Sequence, residues 1–444
     1  MSLASAMLER GASRAPSCRR RPSTGRARAR LRSFVRAQVV NTDRNARGLR
    51  PFRMGEFGRG KTSPSPPHLQ AANRLISSLR GPLFRRVATL QRTATSSARG
   101  SGLDRLLQQR ERAERGIKLI ERIWDFYLEI FGQRTTRFGR LLHACDRVAD
   151  CCYQAVYSGL GTPRRAPSPG PFTSMETGIT PATFRRGVRL TRLGKRANPF
   201  PLIQLPYHRL LNPWTLGALH HEVSHNLQSD LGLWQEVPLR IARELRTAGH
   251  PEVVVNTWRR WHKEVWADLA GLLLGGPEIV ASLMDVVARN RRRVRVYNPT
   301  GVHPTPILRV PLNIELLCRM DFPREAAAYE AVWRKLYRGL GRGSIPQALI
   351  DTFEDASSRV VQVICFQGYP QLGGRSLRQI LPFGPREVER IRSAARILAR
   401  SPVPASRLPP RFLVGAARIA LDRQLAPPRA IAKNFYQSLS RGTR

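Results

Sequence analysis

Lysine is nearly missing from this chain: of 75 lysine and arginine side chains only six are lysine (Lys61, Lys118, Lys195, Lys263, Lys335 and Lys433). Carboxylates are scarce too, 31 in all, which leaves a formal charge of +44 at pH 7. Such a ratio of arginine to lysine reads as the coding bias of a GC-rich genome. A polyanion partner is therefore allowed by the charge but is argued for less strongly than the charge alone suggests. The six cysteines (Cys18, Cys145, Cys151, Cys152, Cys318 and Cys365) form no CxxC pair and no framework spacing, which argues against a disulfide-stapled scaffold or a cysteine-rich zinc ribbon. No secretory signal is visible, so a reducing compartment is expected: cytoplasmic, or organellar if the arginine- and serine-rich start is a transit peptide. A long uninterrupted apolar run is also absent. The nearest approach, Val265 to Val287, is broken by Asp268, Pro277, Glu278 and Asp285, whose burial in hydrocarbon would cost too much. No membrane span and no internal repeat are predicted.

What is present fills 444 residues, enough for two or three domains and a sizeable core. Residues 1–100 hold 22 basic and three acidic side chains with little periodicity and are predicted to be a disordered Arg-rich tail, dispensable for folding. From Asp104 a stripe of Ile120, Ile123, Trp124, Tyr127, Leu128 and Phe131 predicts an amphipathic helix. A second stripe, Phe138 to Val156, takes up Cys145 and Cys152 as small core residues. Alternation after Thr183 and the run Phe200 to Leu205 predict a small mixed sheet, with Phe200–Leu205 as its edge strand because prolines flank it. Helices should then open at Pro213, Pro251 and Pro277. The expected class is α+β, mostly helical, with residues 101–322 as a helical bundle plus catalytic core and residues 323–444 as a C-terminal helical region.

Two motifs carry chemistry. Gly55 to Thr62 fits the phosphate-loop pattern GxxxxGK[ST], but the text before it is not an apolar strand and Ser63-Pro64-Ser65-Pro66-Pro67 follows it, so it is read as coincidence. The second is His221-Glu222-Val223-Ser224-His225, an HExxH spacing that sets two imidazoles one turn apart on one helical face, about 6 Å along the axis. Glu222 between them stands where it could take a proton from a water at the metal. The local text favours a helix, with Asn212 and Pro213 before the motif and Gly232 after it. Seven of the nine histidines fall between residues 208 and 303. An open zinc site wants a third protein ligand. Gln228 and Leu231 stand where the metzincin pattern needs glycine and histidine, so that class is excluded. Glu264 is the better third ligand, with Asp268 one turn later positioned to orient a ligand histidine; Glu236 and His262 are weaker substitutes.

HExxH followed by Glu264-Val265-Trp266-Ala267-Asp268 resembles the ExxAD pattern of the gluzincin zinc metallopeptidases. Val302-His303-Pro304-Thr305-Pro306-Ile307-Leu308-Arg309 is similar to the HP(x)4R segment of the CAAX prenyl endopeptidase-like families. The resemblance implies a zincin-like core with His221, His225 and Glu264 as Zn2+ ligands and Glu222 as base. It further implies Asp268 behind a ligand, and His303 with Arg309 as transition-state or substrate contacts. It covers only residues 212–309, and the CAAX-like relatives are membrane-embedded, so their substrates do not transfer to a chain without a span. The expected activity is zinc-dependent cleavage of a peptide or protein substrate. The reading from a different class is a non-catalytic, zinc-stabilised protein whose arginines bind nucleic acid or another polyanion.

Overall fold

The computed structural model describes residues 24–97, 102–161 and 165–440, and these are mostly helical with a small sheet. The chain divides into two units, Met1–Arg50 with Ile76–Glu121, and Pro51–Leu75 with Arg122–Arg444. Among the described residues no helix is long and apolar enough to cross a membrane.

The first unit corrects the expected tail. Helices α1 (Thr24–Gly48), α2 (Pro66–Ser97) and α3 (Leu103–Gly132) occupy most of the described residues before 133, and the first unit takes α1 and parts of the other two. Its core is Val35, Leu90 and Leu106, with Leu31 and Val39 packed against it. A charge count averaged over a hundred residues hides such a stripe, because a few apolar residues per helix are enough once neighbouring helices share the burial. The rest of the expected tail, residues 1–23 and 98–100, lies outside the described residues.

The second unit begins with Pro51–Leu75, which is tied into an aromatic core. Phe52 stacks on Trp124 with ring centroids 5.5 Å apart, and Phe57 meets Phe131 edge-on at 5.4 Å. The Asn73 amide clamps Phe52 by accepting from its N–H at 2.8 Å and donating to its carbonyl at 2.9 Å. His68, buried between Phe172 and Phe200, donates to the Gly170 carbonyl at 3.0 Å, and burial pushes its pKa down to about 4. Gly55, Gly58 and Gly60 take positive φ in the turn that leads to α2, whose first residue is Pro66. A helix does follow the phosphate-loop match, then, because proline suits the first helical position; no strand precedes it. Deleting residues 1–100 would therefore strip part of a core, and Phe52→Ala alone is expected to lower stability by about 3–5 kcal/mol in urea titration.

Helix α4 (Gly139–Leu160) leads into the sheet formed by β1 (Phe172–Glu176), β2 (Ala182–Phe184) and β5 (Leu202–Pro206), while β3 (Arg189–Leu190) and β4 (Arg196–Ala197) make a separate two-stranded ribbon. The order is β1-β5-β2, with β1 parallel and β2 antiparallel to β5. The run expected at the edge is thus the central strand, all five of its residues buried, and the edge beside the HExxH helix is β2. Prolines at the ends of β5 leave its ladder intact on both sides because they flank the pairing residues or sit at its last position.

After α5 (Tyr207–Leu211) and a single turn at Pro213–Thr215 come α6 (Gly217–Asp230), α7 (Glu236–Thr247), α8 (Glu252–Gly275), α9 (Glu278–Val287) and α10 (Pro306–Arg319). Asn212 does not cap this region through its side chain, which donates instead to the His208 carbonyl at 2.8 Å. A Cβ on Gly217 would fall 2.4 Å from the Ser282 Cβ, so glycine lets the first turn of α6 touch α9. Helices α11 (Pro323–Leu336), α12 (Gln347–Asp351), α13 (Phe353–Val361), α14 (Leu377–Ile380), α15 (Pro385–Leu398), α16 (Leu413–Asp422) and α17 (Pro428–Ser440) complete the unit. The described part of the expected C-terminal region, residues 323–440, does not stand apart: Leu349, Val360, Ala416 and Phe435 belong to the same core as Val223 and Trp266.

Candidate metal centre and cleft

Helix α6 presents His221, Glu222 and His225, and α8 packs against it with Glu264 and Asp268 facing the same point. The two helices are pinned where the Trp266 indole donates to the Ser224 carbonyl at 3.3 Å. The Nε2 atoms of His221 and His225 lie 3.1 Å apart, and each is 3.4–3.6 Å from a carboxylate oxygen of Glu264. Donors held at about 2.0–2.1 Å from a tetrahedral cation stand roughly 3.3 Å from one another, so this triangle could hold a metal ion. Their side chains are 17%, 10% and 7% exposed, sheltered yet reachable. Glu236 and His262 do not join: Glu236 pairs with Arg240, and His262 donates to the Arg259 carbonyl.

Behind the triangle, His221 Nδ1 donates to Asp268 Oδ1 at 2.8 Å, which fixes the ring so that Nε2 points at the other donors. Arg309, in the first turns of α10, forks onto the same carboxylate through Nε at 2.8 Å and Nη2 at 2.7 Å. Both groups are buried, and burial raises Asp268 while Arg309 and His221 outweigh it and hold the carboxyl below its usual range. Arg309, expected as a transition-state or substrate contact, spends two of its nitrogens on Asp268. His303, by contrast, is 66% exposed with Nε2 3.4 Å from Glu264 Oε2, at the open side of the triangle. The sequence-predicted residues therefore converge on one place, with Arg309 one step behind it.

Burial pulls His221 down, but Asp268 and Glu264 more than compensate and raise it to about 10, whereas burial together with His221 pushes His225 down to about 3. Burial also lifts the Glu222 carboxyl to about 7, against the pull of His221 and Arg309. A carboxyl poised there exchanges a proton readily near neutral pH.

The site opens into a cleft of about 780 Å³. One wall is residues 180–185 with β2, tied to α6 where the Asn226 amide donates to Thr183 Oγ1 at 2.7 Å. A further, apolar part of the lining comes from Ile279, Leu283 and Val286 of α9. At the mouth the Arg185 guanidinium carbon lies 3.5 Å from the centroid of the Trp234 ring. Sequence reasoning missed Arg185, Trp234, Asn226 and the α9 wall; only the amphipathic spacing of residues 279–287 carried a signal, and it was absorbed into the apolar stretch. Compared with family models, with curated proteins and with solved structures, the chain matches none.

Proposed function

We propose that the chain is a zinc-dependent metallopeptidase. The observation that carries the reading is the triangle of His221, His225 and Glu264 with Glu222 beside it at the floor of a cleft. His221, His225 and Glu264 would hold Zn2+, which as a Lewis acid would polarise the scissile carbonyl and acidify water. The remaining steps belong to the chain. An extended peptide lies along the free edge of β2 by backbone hydrogen bonds. Glu222 removes a proton from the attacking water, whose oxygen adds to the carbonyl carbon, and returns that proton to the leaving amine as the C–N bond breaks. His303 donates a hydrogen bond to the carbonyl oxygen as negative charge grows there. Arg309 keeps Asp268 in place, and Asp268 keeps the His221 ring aimed.

Two measurements on purified protein test this. Metal analysis is expected to return about one zinc per chain. A peptide-library screen on the same preparation is expected to return cleaved amide bonds. Absence of stoichiometric metal, or a zinc-loaded chain that cleaves nothing in the library, overturns the proposal.

A further inference from the structure

The apolar wall of the cleft ends in a run of arginines. Residues 286–314 hold no carboxylate, and within them stand Arg289, Arg291, Arg292, Arg293 and Arg295. The first four are exposed and Arg295 is half-buried. Several arginines elsewhere in the second unit meet carboxylates, as Arg240 meets Glu236, Arg359 meets Glu244 and Arg418 meets Asp285, while others, Arg375 and Arg411 among them, are half-buried against backbone carbonyls. In this run none meets a carboxylate among the described residues. What they find is backbone: Arg291 donates to the Leu336 and Arg338 carbonyls at 3.4 and 2.8 Å, and Arg295 to the Gly341 carbonyl at 3.3 Å.

Those acceptors lie in a second segment without carboxylates, residues 331–350, which adds Lys335, Arg338 and Arg342, all exposed and without an ion pair among the described residues, next to Arg334, which pairs with Glu330 at 2.6 Å. The two segments are fastened together. Tyr337 Oη donates to the Arg289 carbonyl at 2.8 Å and accepts from its N–H at 3.1 Å, while the Tyr297 N–H donates to Ser344 Oγ at 2.8 Å. The result is a fixed collar of like charge in which, among the described residues, Arg334 alone meets a carboxylate, that of Glu330. Like charges held together raise the energy of the free protein and are relieved by an anionic partner.

Arg289, Val296 and Asn298 also line the cleft, so the collar continues the α9 wall rather than standing on a separate face. We propose that the collar is an exosite for an acidic stretch of the peptide substrate: an apolar side chain of the substrate rests on Ile279, Leu283 and Val286, and carboxylates a few residues away meet Arg289 and Arg291–Arg293. The inference rests on the peptidase reading for its choice of partner, and that continuity with the cleft favours a peptide over a nucleic acid.

The test reads binding, so that it stands apart from turnover. A fluorescent decapeptide with two leucines followed by four glutamates, and its glutamine counterpart, are titrated into the full-length protein by anisotropy at 50 and 200 mM salt. The acidic peptide is expected to bind at least tenfold more tightly at low salt and to lose most of that advantage at high salt. R291A/R292A/R293A is expected to remove the advantage and R291K/R292K/R293K to keep most of it, with melting temperatures close to that of the parent. Should the triple alanine variant fail to fold, Arg292→Glu, at an exposed position, reads the same loss. Equal binding of the two peptides, or an unchanged advantage in the alanine or glutamate variant, overturns the proposal. A 12-base-pair DNA duplex that binds more tightly than the acidic peptide and displaces it assigns the collar to nucleic acid and overturns it as well. If the peptides behave as expected while no substrate is cleaved, the exosite stands and the catalytic reading fails.

Discussion

His221→Ala or His225→Ala is expected to empty the site of zinc under conditions in which the parent chain retains about one ion. Loss of a residue that only orients a ligand costs roughly 10–100-fold in metal affinity, and loss of one of three ligands must exceed that. The remaining histidine and Glu264 would leave zinc two protein donors, too few for the open three-ligand pattern. Hydrolysis should fall to background in both variants, and each should melt at the temperature of the chelator-treated parent rather than that of the zinc-loaded one. Inductively coupled plasma analysis after gel filtration decides the point. Zinc retained at parental levels by both folded variants would show that the triangle is not the metal site.

Glu222→Gln separates holding the metal from using it. The amide keeps the shape of the side chain and cannot accept the proton, so zinc content should match the parent while hydrolysis drops by roughly a hundredfold or more. Burial that lifts the Glu222 carboxyl to about 7 adds a direction. Its folded-state pKa lies above the ordinary glutamate value of about 4.5, so the folded form holds the proton longer, and stability contributed by this group declines as pH rises from about 4.5 to about 7. The glutamine variant lacks that decline. Cleavage at the parental rate in Glu222→Gln would remove the proposed mechanism whatever the metal content.

Much of the site was legible because its spacing is local. HExxH puts both histidines on one face of α6 at any packing, and Glu264 with Asp268 repeats the argument on α8. The stripes of α3 and α4 were readable for the same reason. Pairing between strands is not local. Nothing in the run Phe200–Leu205 says that Ala182–Phe184 covers its second side, so the central strand read as an edge. The helices before residue 98 were lost to averaging, since arginine dominated a window in which Val35, Leu90 and Phe52 are sparse. Arg309 was found by its motif, yet its fork onto Asp268 depends on how α10 meets α8, which no spacing encodes. The collar was invisible for the opposite reason: in a chain of charge +44, five more arginines draw no notice until the structure shows which of them lack a carboxylate.

The fork also sets a timetable. His221, Asp268 and Arg309 come from three helices, the first two 47 positions apart in sequence and the last two 41. A chain made from its N-terminus lays down α6 and α8 well before α10 is synthesised. Until Arg309 arrives, the Asp268 carboxylate docked between α8 and α6 would have the His221 imidazole as its partner and would lack the two hydrogen bonds of the fork. A buried carboxylate with fewer hydrogen bonds is costlier to bury, so a chain that stops before α10 is expected to hold α6 and α8 together less firmly than the finished one.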